Sequence, residues 1–260
     1  MNKSLIFLIS FVFFSSLAPQ SIAMISAPSF PTGVYLGVGG GYNATKANVK
    51  DSAVHELNVG ANPFTITGAA NNVSAFSLTG LCGYLHQFKT SPFTMGLELF
   101  LSFHNGDKLY ENTRRDPGGN NERIILKTRI RDQYEYGAKA IMGLIFKDVY
   151  HGYALVGFSR QDFKIDANMV NTDAAQFHSR TLSQKLKKTN IIVGLGIERT
   201  LQNFKFGLEW FYRIQNKSTI INNRLVDGVV GANPITASTP VTIKGSHCIL
   251  FKMAYNFTSF

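Results

Sequence analysis

Asn190–Ile214 reads NIIVGLGIERTLQNFKFGLEWFYRI, two alternating runs joined at Gln202-Asn203. In the first run Ile191, Val193, Leu195 and Ile197 share one parity, and Ile192, Gly194, Gly196 and Glu198 the other. In the second, Phe204, Phe206, Leu208, Trp210, Tyr212 and Ile214 alternate with Lys205, Gly207, Glu209, Phe211 and Arg213. A period of two marks a strand, because successive side chains point to opposite faces. One face is continuously apolar and aromatic, and the other is small or charged. A soluble sheet buries such an apolar face; a membrane barrel turns it to lipid and lines its lumen with the small and polar residues.

The rest of the chain decides between these. Strand-like runs recur at Thr32–Val49, Val73–Phe88, Phe93–Asn105, Tyr134–Phe146, Gly152–Ile165 and Val241–Phe257. Arg123–Arg131 is also strand-like and is expected to project beyond the bilayer. Connections alternate long (50–72, 106–122, 166–187 and about 222–240) and short (89–92, 147–151 and 202–203). Short turns on one side and long loops on the other are the layout of an outer-membrane barrel. Closure also removes the sheet edge that lipid does not tolerate. The expected fold is all-β, an eight-stranded antiparallel up-and-down transmembrane barrel. An exported soluble β-sandwich is the rival, and it leaves the long/short rhythm unexplained. Lys3, the apolar Leu5–Phe14 and the small residues before Met24 read as a secretory leader, so residues 1–23 are expected to be removed and residues 24–260 to form the barrel.

Several chemical motifs are discounted. The glycines at 37–41 lack the following helix of a phosphate loop, and small interior residues let a narrow barrel close. His55, His86, His104, His151, His178 and His247 show no ligand spacing. His178-Ser179 is a tempting catalytic pair, but neighbours in a strand face apart and in a loop nothing orients the imidazole. Cys82 and Cys248 fall on strands that are not adjacent, and both are expected to be free. No cofactor or catalytic role is expected.

The runs GVYLGVGGGYN (33–43), VGLGIERTL (193–201), FKFGLEWFYRI (204–214) and the final FKMAYNFTSF (251–260) resemble the OmpA-like and opacity-type eight-stranded outer-membrane proteins over residues 24–260. That resemblance implies placement in a bacterial outer membrane and a C-terminal aromatic, Phe260, read by the barrel-assembly machinery. Phe260 is off the parity of Ile249, Phe251, Met253, Tyr255 and Phe257, so a tail or a bulge is expected there.

Charge supplies the remaining expectations. The formal net charge of +10 becomes +9 once Lys3 is removed with the leader. Inward parity collects Glu98, Glu135, Lys139, Glu198, Lys205, Glu209, Arg213 and Lys252, four acids and four bases. An eight-stranded lumen is just wide enough to be filled by side chains. A salt-bridged plug is expected, with Glu209 and Arg213 too far apart to pair directly. Arg114, Arg115, Arg123, Lys127, Arg129 and Arg131, with Lys185, Lys187 and Lys188, sit in or near the long connections, where lipopolysaccharide phosphates lie. Expected partners are outer-membrane lipids including lipopolysaccharide, the assembly machinery, and an envelope or host ligand at the loops, with no nucleic acid. The favoured function is a surface or structural outer-membrane protein; a small-solute pore, and below it a lipid-modifying barrel enzyme, stay open as alternatives. Val59–Thr65 and Val230–Thr236 are near-copies, expected to lie together above the seam of the barrel.

Overall fold

A computed structural model of the protein describes residues 32–55, 64–67, 71–88, 91–115, 123–147, 149–172, 177–215, 220–221, 224–227, 235–238 and 241–258. The expected leader and Phe260 lie outside these residues. Eight long strands carry the fold: β1 (Gly33–His55), β2 (Asn71–Gln87), β3 (Phe93–Arg115), β4 (Arg123–Phe146), β5 (Tyr150–Thr172), β6 (Phe177–Leu201), β7 (Phe204–Gln215) and β8 (Val241–Thr258). Each is antiparallel to the next, and β8 returns to pair with β1 from Gly33↔Thr258 to Val49↔Val241, closing the ring. The short connections lie where the alternation places them. At the β6–β7 turn Leu201 pairs with Phe204, and Gln202 takes a left-handed φ of 57°. Gln87 N–H donates to Thr32 Oγ1 and Asn256 N–H to the Asn203 carbonyl, tying the rim at this end.

Two of the expected long loops are sheet instead. β3 runs on to Arg115 and pairs with β4 up to Arg115↔Arg123; β5 and β6 pair up to Thr172↔Phe177. Residues 106–115, 166–172 and 177–187, read above as loop, are therefore strand. They lack the continuous apolar row that identifies the lower strands, because their outer face carries polar and charged side chains. The first loop is shortened too, since β1 continues to His55.

Bulges complicate the faces. Between β4 and β5 the register skips Gln133, passing from Asp132↔Phe163 to Tyr134↔Asp162. One inserted residue inverts every side chain beyond it. Below the bulge Tyr134 and Tyr136 face out and Glu135 faces in; above it Arg129 and Arg131 face out while Ile130 and Asp132 are buried. A register shift on β8, opposite Thr45–Ala47 of β1, likewise turns Ile243 and Val241 inward.

The exterior is apolar over a band rising from the short turns. Leu36, Leu78, Leu97, Leu99, Met142, Phe158, Leu195, Leu208 and Phe251 all point outward and are exposed, Leu97 to 65%. The inward side holds an apolar cluster that includes Tyr35, Leu81, Phe100, Ile141, Tyr153, Ile192, Phe211 and Leu250. A second cluster at the long-loop end joins Ala47, Val49, Val73, Tyr110, Ile130, Phe163, Ile165, Leu186, Val241 and Ile243.

Cys82 and Cys248 are free. They pair across β1 with Leu36 and Asn43, seven residues apart, and so lie far from each other. Residues 59–63 and 230–234 of the near-copies lie outside the described residues; the described ends flank β1 on opposite sides, Thr65 paired with Ser52 and Thr236 with Val54. Thr65 and Thr236 are thus two strand spacings apart and offset by two residues along β1, roughly 12 Å, beyond the span of a disulfide. Cysteines at Val54 and Thr236, which are directly paired, are expected to cross-link on mild oxidation, whereas a Thr65/Thr236 pair stays reduced. Cross-linking of the second pair and not the first, read by non-reducing gel, would contradict this register.

Candidate functional site

All eight charged residues of inward parity line the interior and are buried. They form two storeys. In the lower one Lys139 Nζ reaches Glu98 at 2.8 Å and Glu209 at 2.5 Å. Lys252 Nζ contacts Glu198 at 2.7 Å, Glu98 at 3.2 Å and Glu209 at 3.3 Å. Lys205 Nζ sits 4.7 Å from the centre of the Tyr35 ring. This storey holds three carboxylates and three ammonium groups. Its charges balance, as they must where removing one partner of a buried pair costs about 3–5 kcal/mol.

The upper storey centres on Arg213. Its Nε and Nη2 bind Glu135 at 2.7 and 2.5 Å, a bidentate pair, and further donors reach Ser246 Oγ and Asn43 Oδ1. Ser159 donates to Glu135 at 2.5 Å. His104 Nδ1 lies 2.8 Å from Asp132, and its Nε2 lies 3.8 Å from Glu135. Gln161 Nε2 donates to both Asp132 oxygens at 3.0 Å. The storeys are joined by Phe211, whose ring centre has Lys139 Nζ at 5.3 Å and the Arg213 guanidinium at 4.8 Å. Glu209 and Arg213 do not pair with each other, as expected; their partners are Lys139 and Lys252 for one, and Glu135 for the other.

The inward set of charges expected from the sequence left out His104, Asp132, Gln161 and the hydroxyl-bearing Tyr35 and Tyr153. Tyr35 donates to Glu98 at 3.0 Å, and Tyr153 to Glu198 and Glu209 at 3.3 and 3.2 Å. His104 and the two tyrosines had the right parity, but only cross-strand register shows which carboxylates they meet. Asp132 is turned inward by the Gln133 bulge, which no period of two reveals. Room for the tyrosines comes from glycine on a neighbouring strand: a Cβ at Gly83 or Gly196 would coincide with the ring of Tyr35 or Tyr153. Gly196→Leu is therefore expected to expel Tyr153 and destabilise the barrel by about 1–3 kcal/mol. Urea unfolding followed by tryptophan fluorescence checks it, and an unchanged midpoint would rule the wedge out.

One chain of groups has a hydrolase-like order. Thr94 Oγ1 and His151 Nε2 are 2.8 Å apart, and His151 Nδ1 is 3.4 Å from Glu198. Thr94 is fully buried, so its hydroxyl is not presented to a substrate. His178 and Ser179 fall consecutively on β6, where their side chains are outside the described set.

The basic residues expected at the loops divide. The side chains of Arg114, Arg115 and Arg123 are outside the described set. Lys127 pairs with Glu111 at 3.2 Å, Arg131 with Asp166 at 3.4 Å, and Arg129 binds both oxygens of Asp107. That hydrogen bond, with the guanidinium charge behind it, holds the Asp107 carboxyl below its ordinary range. Lys185 and Lys187 are exposed. Lys188 is a correction: it shares the inward parity of Leu186 and Asn190, is buried, and donates to the Ile243 carbonyl at 2.7 Å. Burial pushes its ammonium down to about 8.

An apolar outer wall, a polar interior and a closed eight-strand ring together define a transmembrane β-barrel. The chain is similar to the outer membrane protein OprG from Pseudomonas aeruginosa (13% identity, TM-score 0.44, covering 90% of this chain and 100% of that one). It is also similar to the outer membrane protease OmpT from Escherichia coli (10% identity, TM-score 0.43, covering 90% and 100%) and to Neisserial surface protein A (11% identity, TM-score 0.37, covering 88% and 100%). No protein-family model matches the sequence, and no curated protein matches it as a relative.

Proposed function

We propose that this is a bacterial outer-membrane barrel with a structural and surface role, closed to solutes by its own side chains, whose tall extracellular sheet presents the recognition surface. The observation that carries this reading is the burial of all eight lumen charges, with ion pairs joining Glu98, Glu198 and Glu209 to Lys139 and Lys252 and Glu135 to Arg213, beneath the second apolar cluster. The short turns face the periplasm and β3–β6 rise outside the cell, where their polar outer rows meet water. Envelope or host ligands are taken at that raised sheet and its connections. Catalysis has no part in the proposal.

Planar-bilayer recording of the refolded barrel tests the closure. The wild type is expected to give no steady conductance, and Glu209→Ala, which leaves Lys139 and Lys252 with fewer carboxylate partners, to give intermittent openings. Large, steady wild-type channels would favour the pore reading instead.

A further inference from the structure

The outer face of β4–β6 changes character within one row of the sheet. The cross-strand row Leu99–Ala138–Phe158–Ile191 is wholly apolar. The next row on the same face holds Tyr136, Arg160 and Thr189; the one above it Tyr134, Asp162 and Lys187; and the third Arg131, Lys164 and Lys185. Five cations thus occupy three adjacent strands and three successive rows, an area of roughly 10 by 14 Å. The carboxylates among them are Asp162 and Asp166. Asp162 accepts a hydrogen bond from Tyr134 at 2.8 Å, and Asp166 is shared by Arg131 and Lys164 at 3.4 and 3.8 Å. Five cations less two carboxylates leave +3. Arg160, Lys185 and Lys187 have no carboxylate within ion-pair distance among the described residues.

The Gln133 bulge adds the β4 arginine to the array. Continued in the register of Tyr134 and Tyr136, β4 would send Arg131 into the lumen; the inserted residue turns it out, beside Lys164 and Lys185. A cluster of like charge on one small face is costly unless something anionic meets it. It stands directly above the lipid-facing Phe158 and Ile191, flanked by Tyr134 and Tyr136 at the height where amphipathic aromatic rings mark a membrane interface.

We infer that this face is a binding site for a phosphorylated lipid of the outer leaflet. Its headgroup phosphates lie on Arg131, Arg160, Lys164, Lys185 and Lys187, and its acyl chains run down Phe158, Val156, Ile191 and Leu195. The inference rests on the outer-membrane reading above and narrows it to one sector of the barrel and one ligand chemistry. Arginine matches phosphate oxygens bidentately, while the lysines add point charge.

The test uses the full barrel in phosphatidylcholine nanodiscs, with insertion scored separately by heat-modifiable gel migration, so that failure to insert is distinguished from failure to bind. Diphosphorylated lipid A, the same lipid after dephosphorylation, and a soluble sulfated disaccharide are the probes. Wild type is expected to bind the diphosphorylated lipid and to lose it on dephosphorylation. R160Q/K164Q/K185Q/K187Q is expected to bind it at least about tenfold more weakly. The control K46Q/K244Q, which removes two cations above the apolar rows of β1 and β8, is expected to bind as wild type. Equal binding by the quadruple variant, equal loss in the control, or indifference to the phosphates would each overturn the site. Tight capture of the soluble sulfated sugar, with no preference for the lipid, would overturn the assignment to a lipid.

Discussion

Arg213→Met is expected to lower the unfolding free energy of the barrel by about 3–5 kcal/mol. The guanidinium is buried and makes hydrogen bonds to Glu135, Asn43 and Ser246. Without it, Glu135 keeps the Ser159 hydroxyl and His104 but sits in the same storey as Asp132, so two carboxylates share a space that one arginine had compensated. The cost comes from stranding charge, so removing both partners should cost far less than removing one. Arg213→Met with Glu135→Leu is therefore expected to recover most of the loss. Urea titration of the refolded barrel in lipid vesicles gives the four corners of the cycle. If the double variant is as unstable as the sum of the singles, the two residues are not coupled and the upper storey is not an ion-pair unit.

The second large effect concerns the other side of the wall. Leu97 faces outward midway along the apolar band of β3, between Tyr84 of β2 and Ala140 of β4. An arginine at a barrel's lipid-facing midplane costs about 2–4 kcal/mol. On a water-facing sheet the same substitution at so exposed a position falls within about 0.5 kcal/mol of neutral. Leu97→Arg is expected to destabilise the barrel in bilayers by the larger amount. Leu109→Arg, on the outer face of the β3 extension and also exposed, is expected to change it little. Equal and negligible effects at both positions would mean that the outward face meets water throughout, and the membrane assignment would fall.

The contrast between these two leucines shows what was legible before folding. Along Asn190–Ile214 the alternation is unbroken, so the faces of Glu198, Lys205, Glu209 and Arg213 follow from parity alone. The same held for Glu98, Glu135, Lys139 and Lys252, because strands crossing a bilayer must carry apolar side chains on every second residue. Where that demand ends, so does the signal. Residues 106–115, 166–172 and 177–187 are strands with a polar outer face, and their mixed polarity made them look like loops.

The linear chain thus determined the strand count, the ring and the inward facing of the eight charges on unbroken alternation, since lipid imposes a strict period of two. Pairing within that set belonged to the tertiary structure. Arg213 meets Glu135, 78 residues away, and Lys252 meets Glu98, 154 residues away, because strand register brings them to one height. The single-residue bulge at Gln133 likewise decided that Asp132 enters the lumen and Arg131 leaves it. An inserted residue inverts facing without changing composition, so its consequences exist only once the neighbouring strands are in place.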